Sequence, residues 1–423
     1  MGRIMYWRCG IVIAFLFFCQ FAGAKSADEL FKTYQSALVQ IKSINIESGQ
    51  KSSIGTGFFI SDTGHMVTNY HVISGFVQRP EKYRLEYIDQ EQNNYPVDVL
   101  AVDVINDLAL LQSQQKVEVN FSLAKEAPNK GEDLFALGNP HDLGMIVVPG
   151  TYNGIKKNSF YQRIHFTGSI NPGMSGGPTV NQDGQVIGIN VATAGNQIGF
   201  LVPVERLWTL LDDYQQKDKS IEQDLIADIT NQLKNNQDVL YQELLSAQWQ
   251  TNQLGGAEVP SEVSNFMPCW GDSNKNKEKI LYNKASANCS VQERIYLSAT
   301  MSTGVAQLGF SWLQSNQLTE MQLSKLYQVN LNARSGRSNA GQDDVTDYHC
   351  NQAIVENIAS SVSKGVTCVR AYRKYPGLFD VNHRSVLLGK DKQSLVSHYF
   401  LQGVTQETAN NFYQKFVEQV KWK

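Results

Sequence analysis

The spacing of apolar residues changes along the chain, and each change predicts a different kind of element. Between residues 26 and 42, Leu30, Tyr34, Leu38 and Ile41 recur at helical spacing. Ser26 and Glu29 stand three apart in the pattern of a capping box, so the spacing predicts one amphipathic helix over 26–42. From residue 44 to about 203 the texture is different. Short β-rich runs such as Gly57-Phe-Phe-Ile60, His65-Met-Val-Thr68 and Gln185-Val-Ile-Gly-Ile189 alternate with turn signals such as Ser61-Asp-Thr-Gly64 and Asn181-Gln-Asp-Gly184. Many short strands at this spacing predict an all-β barrel or sandwich. Val204, Leu207, Leu210 and Leu211 then restore a helical period over 204–215. Residues 216–254 are rich in Gln and Asn and predict two helices with a break at Asn235-Asn236. Leu254-Gly-Gly256 and Pro260 mark a boundary. Beyond it, 291–301, 366–373, 380–388 and 395–402 read as strands, the last two joined through Gly389-Lys-Asp-Lys392. Thr405 caps a final helix carrying Ala409, Phe412, Phe416 and Val420.

Length and composition bound the function. A chain of 423 residues predicts two or three domains, and 42% hydrophobic with 18% charged residues is ordinary globular composition. The net charge of −3 offers no global field for nucleic acid. The first residues read as a secretory signal: Arg3 and Arg8, an apolar run over 9–22, then Ala22-Gly23-Ala24 as a cleavage site. That run is shorter than the roughly 20 residues of a membrane span. Cleavage after residue 24 takes both arginines and brings the charge from −3 to −5. It also removes Cys9 and Cys19, leaving Cys269, Cys289, Cys350 and Cys368. Four cysteines in an exported chain read as two disulfides. Three pairings are open, and the local ones, Cys269–Cys289 and Cys350–Cys368, are favoured. With His349 these cysteines fit no zinc spacing, and no cofactor motif is present.

The stretch richest in candidate chemistry is Thr167-Gly-Ser-Ile-Asn-Pro-Gly-Met-Ser-Gly-Gly-Pro-Thr-Val180. Ser175 lies among Gly173, Gly176 and Gly177, where the backbone can turn sharply and come close to a ligand. Such a turn can aim the N–H groups of Gly173 and Ser175 at one point, as an oxyanion hole beside a nucleophile. A serine nucleophile needs a base, and the base an orienting acid. Of seven histidines, His71 ends the run Gly55–Ile73, which reads as a hairpin of two apolar strands finishing at the imidazole. His65, His141 and His165 read as surface or loop residues. Asp107 precedes the apolar run Leu108-Ala-Leu-Leu111 and is the candidate acid. Gly173-Met-Ser-Gly-Gly177 also fits the elbow pattern of α/β-hydrolases, but that elbow needs a helix next, and Gly176-Gly-Pro178 starts one poorly.

Thr68-Asn-Tyr-His-Val72, Asp107-Leu-Ala-Leu-Leu111 and Gly173-Met-Ser-Gly-Gly177, in this order, resemble the trypsin-like serine proteases, most closely the HtrA (Deg) branch. Ala136-Leu-Gly-Asn-Pro140 and Ile198-Gly-Phe-Leu-Val-Pro203 add to the likeness, which spans roughly residues 30–212. The resemblance implies two six-stranded antiparallel β-barrels with a catalytic cleft between them. It implies His71, Asp107 and Ser175 as the triad and the N–H groups of Gly173 and Ser175 as the oxyanion hole. Ser169, Ile170, Ile198, Gly199 and Phe200 become the walls of the specificity pocket. None of these is acidic, so the implied preference is for small or aliphatic side chains before the scissile bond. Two departures stand out. Met174 occupies the place where digestive relatives carry an activating acid, and residues 213–423 show no PDZ pattern. The domain expectation is therefore a signal over 1–24, a mainly β protease domain over 25–215 and a helical connector over 216–255. A smaller disulfide-bonded α+β domain over 256–423 completes it. The expected function is an exported serine endopeptidase, periplasmic or secreted, acting on polypeptides, with no nucleic-acid partner and no stable membrane insertion; oligomerisation stays open. The alternative is a protease-fold binding or scaffold protein whose C-terminal domain carries the function.

Overall fold

The computed structural model describes residues 25–193, 198–217, 224–274, 280–332, 340–357, 359–388 and 392–423. The expected secretion signal lies outside the described residues, as does most of the turn at 389–392. The capping box at Ser26 and Glu29 forms, but its helix ends at Tyr34. Leu38 and Ile41 belong to the strand Leu38–Asn45 instead. That strand pairs with Lys51–Phe59 on one side and Tyr83–Ile88 on the other, so two ladders override a weak helical period.

The first sheet has seven strands, in the order Asn94–Pro96, Tyr83–Ile88, Leu38–Asn45, Lys51–Phe59, His65–Thr68, Leu108–Gln112, Asp98–Asp103. A closed six-stranded barrel is the expectation; no ladder closes this sheet among the described residues. Its two outermost strands are nevertheless consecutive in the chain, separated by Val97 alone. The sheet must therefore curl until its edges meet, and the chain itself makes the joint. Pro96, which has no N–H to give to a ladder, stands at that joint. The second sheet is a closed barrel of Ile164–Phe166, Gly199–Pro203, Val186–Thr193, Pro178–Val180, Asp133–Gly138 and Ile146–Ile155.

Helix Val204–Gln216 follows the barrel as expected. The two helices expected over 216–254 are one, Leu225–Ser246, which runs through Asn235-Asn236 without a break. Buried Ile229, Leu233, Leu240 and Leu244 hold it along its length, and Asn236 donates to the Tyr161 hydroxyl at 2.9 Å. Gly255-Gly256 closes a hairpin between Gln250–Leu254 and Ala257–Glu262. Beyond it lies a second seven-stranded sheet, ordered Cys269–Ser273, Asn283–Ser290, Ala306–Gln314, Gln393–Val404, Phe379–Leu387, Val362–Ala371, His349–Glu356. Helix Gln406–Glu418, capped by Thr405, packs Phe412 and Phe416 against Tyr399 of this sheet. The structure contains disulfides Cys269–Cys289 and Cys350–Cys368. No described helix is long and apolar enough to cross a membrane.

The region 25–268, which contains no cysteine, does not keep a core to itself. One apolar cluster joins Phe58, Leu110, Leu137 and Met174 to Ile229 and Leu233 of the long helix. The same cluster takes in Ile295, Leu297, Met301, Tyr372, Tyr375 and Leu378 from the C-terminal region.

Candidate active site

His71 is not at the end of a strand, as its sequence context suggests. The strand stops at Thr68, Asn69 takes the N-cap position, and His71 lies in the first turn of helix Tyr70–Gln78. Buried Val72, Ile73 and Val77 fix that helix against the sheet. Asp107 meets the helix at its start. Its Oδ2 accepts the imidazole Nδ1 at 2.7 Å, and its Oδ1 accepts the His71 backbone N–H at 2.8 Å. Its carbonyl takes the Asn69 side-chain amide at 2.8 Å and the Tyr70 N–H at 3.3 Å. A carboxylate at a helix N-terminus also meets the positive end of the dipole. Asp107 has φ +64°, the left-handed region that non-glycine residues seldom occupy. Such strain persists where surroundings over-determine a residue, and here four hydrogen bonds do so.

Burial alone lowers the His71 pKa, but the charge of Asp107 and its hydrogen bond outweigh that and raise it above the ordinary histidine value. With Nδ1 bound to a carboxylate, Nε2 is left to take a proton. Arg163, half-buried, adds its charge near Asp107 and Asp103. Nothing in the local sequence marks Arg163 for this position.

Ser175 stands in a loop bound on every side. Gly176 N–H donates to the Asn190 carbonyl at 2.9 Å, Gly177 N–H to the Met174 carbonyl at 3.1 Å, and Met174 N–H to the Asn171 carbonyl at 3.0 Å. Thr56, from the first sheet, is the brace that sequence reasoning misses. Its N–H donates to the Ser175 carbonyl at 2.8 Å and its Oγ1 to the Gly173 carbonyl at 2.8 Å, while Oγ1 accepts the Asn139 N–H at 3.0 Å. One threonine thus ties the first sheet to the serine loop and to the Asn139-Pro140 turn. Gly176 must be glycine: at φ +85° a Cβ would lie 2.2 Å from Thr68 Oγ1 and 2.3 Å from the Thr56 carbonyl oxygen. Gly173 has φ +96° and abuts the Asn139 carbonyl in the same way. Among the described residues, the N–H groups of Gly173 and Ser175 donate to no protein acceptor. No hydrogen bond joins Ser175 to His71 among them either, and nucleophile–base contacts commonly tighten only around substrate.

Of the five residues expected to wall the specificity pocket, Gly199 and Ile170 come together. Gly199 pairs with Phe166, and a Cβ there would lie 2.8 Å from both the Gly168 carbonyl oxygen and Ile170 Cγ1. Ile170 is buried, Ser169 and Phe200 half-buried, and Ile198 exposed. His65 bonds Ser61 and Thr63, His141 lies in the turn beside Pro172, and His165 packs near Phe200, all away from the Asp107 carboxylate.

Residues 55–189, which hold all three candidate residues, match the family model described as a trypsin-like peptidase domain. This stretch is similar to trypsin-like peptidases of the HtrA type. Over 176 residues the chain is 35% identical to serine protease HTRA4 of Mus musculus, covering 39% of this chain and 35% of that protein. It is 30% identical over 175 residues to serine protease HTRA3 of Homo sapiens, with 39% of each chain covered. A probable periplasmic serine endoprotease, DegP-like, of Chlamydia pneumoniae is 32% identical over 160 residues, with 35% of this chain and 32% of that protein covered. The chain spans less than two-fifths of the length of each of these curated relatives.

Proposed function

We propose that the chain is an exported serine endopeptidase that hydrolyses peptide bonds in polypeptides. Ser175 Oγ attacks the scissile carbonyl. His71 Nε2 takes its proton and later gives it to the leaving amine, while Asp107 holds the imidazole and stabilises its charged form. The Gly173 and Ser175 N–H groups receive the oxyanion. The observation that carries this reading is the Asp107 carboxylate, which grips both Nδ1 and the backbone N–H of His71. The likeness to named serine proteases supports the reaction class and, with the DegP-like relative, a periplasmic or extracellular site of action.

The pocket reading follows from the absence of acid among Ser169, Ile170, Ile198, Gly199 and Phe200. A lysine or arginine there would leave a desolvated, unpaired charge, at several kcal/mol. Lys156, itself paired with Glu293, lies 5.8 Å from the centre of the Phe200 ring. Small and aliphatic side chains are therefore preferred before the scissile bond.

The test is labelling by a fluorophosphonate probe together with a mass-spectrometric digest of an unfolded protein. Wild-type protein is expected to label and to cut after Val, Ala, Ile or Leu. Ser175→Ala is expected to stay folded, to remain unlabelled and to lose on the order of 10⁴-fold or more in turnover. An unlabelled wild-type chain would support a binding or scaffold role instead, and cuts after Lys and Arg would overturn the pocket reading alone.

A further inference from the structure

The helix that carries His71 is walled by a hairpin from far outside the peptidase domain. Strand Ile295–Ser298, paired with Met301–Thr303, lies against helix Tyr70–Gln78. Two attachments fix it. At one end Glu293 binds the second barrel: its carboxylate pairs with Lys156 and accepts the Ser159 hydroxyl at 2.8 Å. At the other end the Leu297 carbonyl accepts the hydroxyl of fully buried Tyr70 at 2.9 Å. Gln78, at the far end of the same helix, donates to that Tyr70 hydroxyl and to the hydroxyl of Tyr375. The hairpin thus bridges the second barrel and the His71 helix.

Tyr296 sits between these two attachments. Its ring meets the imidazole of His71 edge to face, at 5.9 Å between centres and 72° between planes. Edge-to-face pairs are directional, so the ring resists rotation of the imidazole as well as excluding water from it. The phenol is directed at Ser74, whose hydroxyl donates to the His71 carbonyl at 3.1 Å. His71 is therefore held by Asp107 at Nδ1 and by Tyr296 against its ring.

We propose that Tyr296 is a positioning residue for His71, and that the C-terminal region thereby completes the active-site cleft instead of acting as a separate module. This rests on His71 being the base of the proposed reaction. The charged and titratable groups around the imidazole are Asp107 and Tyr296, with Arg163 and Asp103 behind Asp107. Of these, Tyr296 is the one whose removal hydrates the imidazole without taking away a charge. Hydration favours the charged imidazolium, so losing the ring moves the acid limb of the rate profile to higher pH.

The experiment compares kcat, KM and the pH profile of kcat/KM in wild-type, Tyr296→Ala, Tyr296→Phe and Tyr375→Phe, after fluorophosphonate labelling of the full chain. Tyr296→Ala is expected to lower kcat about tenfold with KM little changed, and to move the acid limb upward. Tyr296→Phe keeps the ring and should stay near wild-type on both measures. Tyr375→Phe loosens the same interface without touching the imidazole and should leave the limb in place. If Tyr296→Ala does not fold, Tyr296→Val keeps a strand-forming residue, is too short to cover the imidazole and should show the same shift. An unmoved limb, an equal shift in Tyr375→Phe, or a faster Tyr296→Ala enzyme would overturn the proposal. Failure of wild-type to label would instead remove the reading on which it rests.

Discussion

The two N-terminal sheets and the C-terminal sheet face the same difficulty, exposed strand edges, and meet it by different means. An edge strand offers unpaired backbone groups and buries few side chains. The second barrel has no edge because its ladder closes. The first sheet covers its outer strand Asp98–Asp103 with helix Leu225–Ser246. From that helix the Gln232 amide donates to the Val102 carbonyl at 2.7 Å and accepts the Val104 N–H at 2.9 Å. The C-terminal sheet has two open edges, Cys269–Ser273 and His349–Glu356, both largely exposed. Each is joined to its neighbour by a disulfide between directly opposed residues, Cys269 with Cys289 and Cys350 with Cys368. Where burial cannot hold an outer strand, a covalent bond does. The two halves differ in what holds them, yet they share one apolar cluster.

The largest effect expected from separating the halves is a truncation. A chain ended at Lys217 loses Ile229, Leu233, Ile295, Leu297, Tyr372, Tyr375 and Leu378 from the common cluster. At roughly 1.5–3 kcal/mol for each buried side chain, the loss rivals the whole stability of a typical domain. The truncated chain should show no cooperative melting by circular dichroism. A sharp transition with retained probe labelling would show that the shared cluster is dispensable.

Replacing both cysteine pairs by serine should lower stability by about 3 kcal/mol for each bridge, since each closes a loop of 20 or 18 residues. Below the melting point, labelling of Ser175 should be unaffected. Equal loss of labelling and of C-terminal stability would mean that the sheet edges and the cleft unfold together.

A smaller effect sharpens the comparison through pH. His383 is 2% exposed, shares a hydrogen bond between Nδ1 and Thr367 Oγ1 at 2.8 Å, and stacks on Tyr399. Burial pushes its pKa down to about 4. A base with a depressed folded pKa leaves more protons on the unfolded chain, so stability falls as pH drops from about 6.5 towards 4 and then levels. The full span is about 2.5 pH units, or about 3 kcal/mol. Urea unfolding at pH 7 and 4.5 should show most of that loss as the difference between wild-type and His383→Phe. The variant keeps the like contribution of His398, also pushed down to about 4 by burial and the Arg384 charge. His71 shifts the other way, so the acid limb of activity should lie above the ordinary histidine value. Equal acid sensitivity in wild-type and His383→Phe would place the acid-labile group elsewhere.

Local sequence determined a good deal of this protein. The runs around His71, Asp107 and Ser175 mark the proposed triad, and two of its members, His71 and Asp107, are in contact. Glycines at 173 and 176 stand where φ is positive and a Cβ would collide with backbone. The Thr405 cap and its apolar repeat encode the last helix, because cap and period are properties of neighbours in sequence. Tertiary structure decided the rest. Leu38 and Ile41 fit a helical face but join a strand because partners on both sides offer ladders. Asn235-Asn236 reads as a break but continues a helix because Tyr161 accepts from Asn236. Thr56 and Tyr296 look like any strand threonine and tyrosine. Their places, against the serine loop and against the imidazole, come from contacts across 117 and 225 positions of chain. Periodicity and capping report only on residues within a turn or two of each other. A hydrogen bond or ring contact between distant segments leaves no local trace and exists only once the chain has folded.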